Sequence, residues 1–253
     1  MTAPEAFTSR WRMAVQSLNR PYPVSIPMVV LGSLVPAYIF IAEWVRGRTL
    51  HVPALAVDRM VPLQPNWALL YGAMYLFLIA LPIFVVRQPE HIRRTVLAYL
   101  TIWVIAYVCF LVYPTIGPRP TKVIGTGFGV WGLRLLYAAD PSYNCFPSLH
   151  VAHSFVSAFT CYRVHRKVGL GAMFAALFVA LSTLFTKQHY VLDVIAGILL
   201  AGLAYFAYLR NHPAEEIPEM DRRVAPVFAM ALLAATSVGI AGFWVAYLIR
   251  GGA

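Results

Sequence analysis

The chain has 253 residues, of which 60% are hydrophobic and only 12% charged, with a mean hydropathy of +0.69 and a formal net charge of +10. A soluble domain of this length usually carries about a quarter charged residues, so the composition excludes an ordinary soluble fold and makes the lipid bilayer the main partner. The basic residues are spread through short segments between apolar runs, which reads as a topology signal and excludes nucleic-acid binding.

Taken in chain order, residues 5–18 place Phe7, Trp11, Ala14, Val15 and Leu18 on one helical stripe, with Arg10, Arg12 and Gln16 elsewhere. This fits an interfacial amphipathic helix, and a frayed tail is the alternative. The first 20 residues hold Arg10, Arg12 and Arg20 but no continuous apolar core, so no cleavable signal peptide is expected. A spanning helix needs roughly 20 apolar residues. The candidate stretches are 24–45, 66–86, 92–113, 148–163, 168–186, 190–209 and 225–249. The fourth is short, and Pro147 marks its start, as suits the first turn of a helix. Asp58 to Pro65 reads as a polar connector. Residues 114–146, rich in glycine and proline, form the longest expected loop, and loops of that length are often functional. There is no repeat and no sign of a second domain, so residues 1–253 are read as a single all-α integral membrane domain. Cys109 and Cys161 lie inside apolar runs and Cys145 is alone in a loop, which is neither a disulfide framework nor a metal-ligand spacing.

Lysines and arginines set the expected orientation. With a cytoplasmic N-terminus, Arg10, Arg12, Arg20, Arg87, Arg93, Arg94, Arg163, Arg166, Lys167, Arg210, Arg222 and Arg223 lie inside. Arg46, Arg48, Arg59, Arg119, Lys122, Arg134, Lys187 and Arg250 lie outside. This arrangement puts the 114–146 segment, His150 and His189 together on the non-cytoplasmic face, although none of these motifs entered the count.

The chemistry-bearing residues gather around these positions. His189 and Asp193 are four apart, on one face if the segment is helical, so the carboxylate can fix the tautomer of the imidazole and leave its other nitrogen as nucleophile or base. A satisfied polar pair bridging helices is the alternative, but ionisable residues bordering a membrane span are functional-site candidates by default. In Pro147-Ser148-Leu149-His150, backbone N–H groups at Ser148 and Leu149 are expected to face an anion at a helix start. His150 is placed there to donate a proton to a leaving oxygen, with His153, one turn deeper, as its rival. Arg119, between Pro118 and Pro120, offers a guanidinium that matches phosphate oxygens; the alternative is an arginine snorkelling to the headgroups. Lys187 is a second candidate phosphate ligand and Lys122 a weaker one. Zinc held by His150, His153, His189 and Asp193 is the competing reading. The absence of an i,i+4 histidine pair and the presence of Arg119 and Lys187 argue against it, so no metal and no cofactor are expected.

These residues resemble the motifs of the type 2 phosphatidic acid phosphatase superfamily, the lipid phosphate phosphatases. The first motif, a lysine, six residues and Arg-Pro, is represented by Arg119-Pro120; the second, Pro-Ser-Gly-His, by Pro147-Ser148-Leu149-His150. The third, Ser-Arg, five residues, His, three residues and Asp, is represented by Ser182-Thr183, His189 and Asp193. The resemblance covers roughly residues 60–210. Val112 stands where the first-motif lysine would be, and Thr183 where the third-motif arginine would be. Leu149 and the run Thr186-Lys187-Gln188-His189-Tyr190 are similar to the branch containing inositol phosphorylceramide synthases and sphingomyelin synthase relatives.

The resemblance implies a six-helix transmembrane core with a metal-free site at the non-cytoplasmic face. It implies that His189 attacks phosphorus, Asp193 orients it and His150 protonates the leaving group. Arg119 and the Ser148 amide would hold phosphate oxygens, with Lys187 standing in for a lost basic group. The stretch 225–249 lies outside that core, and its Ser237, Gly239 and Gly242 suit a close helix contact. Three functions follow as expectations: a phosphatase acting on a lipid phosphate or diphosphate, a lipid headgroup phosphotransferase, or a non-catalytic lipid-phosphate binding or transport protein.

Overall fold

The computed structural model describes residues 3–18, 25–213 and 216–250, with side chains described for 9–16 and from 34 onward within those ranges. The described chain is all-α. Its helices are α1 (Ala3–Leu18), α2 (Ser25–Val45), α3 (Trp67–Val85), α4 (Pro89–Val112), α5 (Phe128–Ala139), α6 (Leu149–Val164), α7 (Arg166–Phe185), α8 (Val191–Ala204) and α9 (Glu219–Ile249). A short 3-10 turn (Ala56–Arg59) precedes α3, and α8 runs on into a π turn (Tyr205–Leu209).

Among the described residues, five helices are long and apolar enough to cross a membrane: α3, α4, α7, α8 with its π turn, and α9. They answer to five of the seven expected stretches. The other two are the helices α2 and α6. Although α6 has only 16 residues, about 24 Å of helix, it is the middle of the bundle, packed against α3, α4, α7 and α8. Since protein surrounds it, it tolerates Ser154, Ser157 and Thr160, all buried. The Ser157 hydroxyl donates to the Leu78 carbonyl of α3 at 2.5 Å, which satisfies a polar group that lipid could not.

Residues 114–146 are not loop throughout, because α5 lies inside them. Gly129 and Gly132 weaken a helix by propensity, yet here they are its contact points. A Cβ at Gly129 would sit 2.0 Å from Asn66 Oδ1, and one at Gly132 would sit 2.7 Å from Leu69 Cγ. Close packing on the start of α3 outweighs propensity. On its other side α5 meets α9, with Phe128 against Trp244 and Trp131 against Phe243.

Helix α1 packs on α9. Ala14 of the expected apolar stripe is buried, while Trp11 and Val15 are exposed; the side chains of Phe7 and Leu18 lie outside the described residues. Helix α9 starts before residue 225, and Gly239 and Gly242 face open space.

The connections bring the loops of one bundle end together. His51 pairs with Thr115, and Ile116 with Tyr143, as isolated bridges. The buried Thr115 hydroxyl accepts from the amides of Cys145 and Phe146, both at 3.0 Å. The segment that leads into α6 is therefore pinned to the segment that carries Arg119.

Candidate active site

Helix α7 ends in a tight reversal. The Thr183 carbonyl accepts from the amides of Gln188 (2.9 Å) and His189 (3.2 Å), and Lys187 adopts the left-handed φ of 54°. His189 therefore precedes α8 and is not part of it. Asp193 lies in the first turn of α8, and its Oδ2 accepts from the Tyr190 amide at 2.9 Å, a capping contact at a helix start. The same oxygen faces His189 Nδ1 at 3.4 Å. The expected His189–Asp193 pairing is present, built by a cap instead of by one helical turn.

The amide of Ser148 donates to the backbone oxygen of Asp193 at 3.0 Å, which ties the start of α6 to the start of α8. Beneath this link Gly197 lets the two helices touch: a Cβ there would lie 2.6 Å from the Ser148 oxygen. The tie sets His150 Nδ1 3.5 Å from His189 Nε2. The His150 ring lies against Tyr71 and Tyr75 of α3, with centroids 5.5 and 4.8 Å away. Asp193 is fully buried and His189 nearly so. His153 points elsewhere, packed against Tyr99 and Trp103 with centroids at 4.4 and 5.8 Å. Of the two candidates, His150 is the one that meets His189.

The candidate phosphate ligands fare differently. Two of them have their donors engaged elsewhere in the structure. The Ser148 amide is already engaged by Asp193, and the Ser148 hydroxyl caps α6 by accepting from the Val151 amide at 3.4 Å; Pro147 precedes the cap and is not in the first turn. The Lys187 ammonium donates to the backbone oxygens of Val61 (2.5 Å) and Asp58 (3.3 Å), because the left-handed turn sends its side chain toward the connector before α3. Lys122 is exposed in the loop before α5.

Arg119 does reach the site. Its Nη1 donates to the Asp140 backbone oxygen at 2.7 Å, and Nη2 donates to Gln188 Oε1 and to Asp140 Oδ2, the latter at 3.3 Å. The guanidinium lies over the Tyr137 ring, and its Nε is buried without a partner among the described residues. Arg119 thus holds the residue next to His189 and is itself held by Asp140, whose other oxygen accepts from the Tyr38 hydroxyl at 3.1 Å. Val112 is 75% exposed, turned to the surroundings, whereas Thr183 is buried.

Gln188, Asp140, Tyr38, Tyr71 and Tyr75 were not anticipated. Gln188 sits beside His189 in the quoted run, and Asp140 is one of few acidic residues in an apolar chain; both were available signals. The tyrosines gave none, since aromatic residues are common in membrane helices. Cys145 is no rival nucleophile: burial, with the Asp193 and Asp140 carboxylates near, pushes its thiol well above the ordinary range. Among the described residues no group of three or more His, Cys, Asp or Glu side chains is placed to hold a metal ion.

A PA-phosphatase related-family protein of Dictyostelium discoideum is 26% identical over 120 residues, covering 43% of this chain and 22% of the relative. The chain therefore spans about a fifth of that relative's length. No solved structure matches. The profile described as PAP2 superfamily matches residues 38–207, well over half of the chain and the part that carries Arg119, His150, His189 and Asp193. The chain belongs to the PAP2 superfamily.

Proposed function

We propose that this protein is a membrane phosphatase that hydrolyses a lipid phosphate or diphosphate through a phosphohistidine on His189, without a metal ion. PAP2 superfamily members are generally phosphatases or phosphotransferases. The observation that carries the reading is the line Asp193–His189–His150, with contacts of 3.4 and 3.5 Å. Asp193 accepts from Nδ1–H of His189, so the lone pair of Nε2 is free to attack phosphorus. The phosphoryl group takes the place of the direct contact between the two rings. As the N–P bond forms and the P–O bond to the lipid breaks, His150 gives its proton to the leaving oxygen. It then takes a proton from water, which attacks the phosphohistidine and releases phosphate. Arg119, with its unpartnered Nε, has one donor left for a phosphoryl oxygen. The orientation expected from the lysines and arginines puts this site at the non-cytoplasmic face.

The test is a trapping experiment with a 32P-labelled lipid phosphate, with and without an added lipid alcohol. His150→Ala is expected to accumulate acid-labile label on histidine, and His189→Ala to show neither label nor turnover. Wild-type turnover by His189→Ala would refute the assignment. Label released as free phosphate indicates hydrolysis; label on the added alcohol indicates headgroup transfer.

A further inference from the structure

At the end of the bundle away from His150 and His189, polar side chains converge between α4, α6 and the segment after the π turn. His91 and His212 are fully buried, with rings 4.7 Å apart. His91 Nε2 meets the Thr160 hydroxyl at 2.8 Å, which meets the Thr95 hydroxyl at 2.6 Å. Among the described residues, His91 Nδ1, both ring nitrogens of His212 and Nε of Arg163 are buried with no hydrogen-bond partner. Arg163 donates through Nη2 to the His212 backbone oxygen. Arg94 donates to the Tyr208 backbone oxygen at 3.3 Å and to Glu90 at 2.8 Å.

Each buried nitrogen without a partner carries a desolvation penalty, and four of them in one cluster mark a place built to receive hydrogen-bonding atoms. The backbone supports this. The π turn Tyr205–Leu209 closes with Arg210 N–H donating to the Tyr205 oxygen at 2.8 Å. Such widened turns recur at functional sites, and this one delivers the His212 ring onto His91.

Charge selects the ligand. The guanidiniums of Arg94 and Arg163 flank the cluster, Glu90 is engaged by Arg93 and Arg94, and among the described residues Glu216 is a further acidic group whose field reaches His212. Two guanidiniums disfavour a cation. A tetrahedral anion with several acceptor oxygens suits imidazole N–H and guanidinium donors. Basic pockets between membrane helices near a bilayer surface take phospholipid head groups.

We propose that His91, Arg94, Arg163 and His212 form a second site, separate from the His150–His189 pair, that binds the phosphate group of an anionic phospholipid in the leaflet at that end of the bundle. Along α6 the two sites are about 20 Å apart. The site therefore anchors a lipid without touching the reacting atoms.

The test uses the full chain purified in mild detergent and examined by native mass spectrometry with phosphatidylglycerol, phosphatidylcholine or inorganic phosphate. Wild type is expected to retain phosphatidylglycerol in preference to phosphatidylcholine. Arg163→Gln and His212→Leu are each expected to weaken retention by about tenfold or more, with turnover unchanged. Arg163→Lys, which keeps the charge, should retain most of it. Displacement of the lipid by inorganic phosphate at similar concentration would assign the same site to the free ion. Equal retention of the two lipids by wild type overturns the proposal without recourse to any variant. So does unaltered phosphatidylglycerol retention in folded Arg163→Gln and His212→Leu.

Discussion

Replacing Gly197 with alanine tests whether the contact between α8 and the start of α6 sets the distance between the two histidines. The added Cβ would lie 2.6 Å from the Ser148 backbone oxygen and 3.2 Å from Val151 Cβ. Ordinary contact begins at 3.4 Å, so α8 must move away from α6 by about 0.8 Å. The Ser148 oxygen cannot retreat freely, because it accepts the Ala152 amide at 3.0 Å inside α6. The shift stretches the Ser148–Asp193 link and carries Asp193 and His189 away from His150. Overpacking of this kind costs about 1–3 kcal/mol, and a misplacement of about 1 Å lowers a rate on the order of 100-fold. The assay is turnover of a lipid phosphate by purified protein, together with thermal unfolding in the same detergent. The control is Gly202→Ala in the same helix, where a Cβ meets nothing within 4 Å; that change should be neutral or stabilising by up to about 1 kcal/mol. Wild-type turnover in Gly197→Ala would refute the reasoning, as would equal losses in both variants.

Thr115→Val should remove the acceptor for the buried Cys145 amide and the part-buried Phe146 amide and cost about 1–3 kcal/mol, read as a lower unfolding temperature, while Thr115→Ser keeps most of the stability. Lys187→Ala should lower thermal stability through loss of its bonds to the Asp58 and Val61 carbonyls; an unchanged unfolding temperature with KM raised about tenfold would return the ammonium to the phosphate. Activity should survive a strong chelator and be inhibited by vanadate, which mimics five-coordinate phosphorus; loss in chelator that zinc or magnesium restores would overturn the metal-free mechanism. Lys122→Cys, at an exposed position, should react with an impermeant thiol reagent added outside intact cells, and labelling only after permeabilisation would invert the orientation.

Sequence alone determined the membrane class and singled out three polar residues that the structure brings together. Long apolar runs admit few structures in lipid, because every backbone group must be bonded within its own segment. Histidines and an aspartate at the borders of such runs are too costly to be incidental. His150, His189 and Asp193 were legible for that reason. What sequence could not decide was where the flexible and polar groups point. Arg119, Lys187 and Ser148 all had free donors on paper. The structure gave the Ser148 amide to the Asp193 carbonyl, the Lys187 ammonium to the connector before α3, and most of the Arg119 donors to Asp140 and Gln188. These partners lie from 21 to 129 residues away in the chain, so no local pattern announces them. The same holds for α5, whose glycines argue for loop until the start of α3 is set against them. Local spacing records which chemistry a chain can perform. Which donors remain free to perform it depends on contacts between distant segments, and only packing creates those.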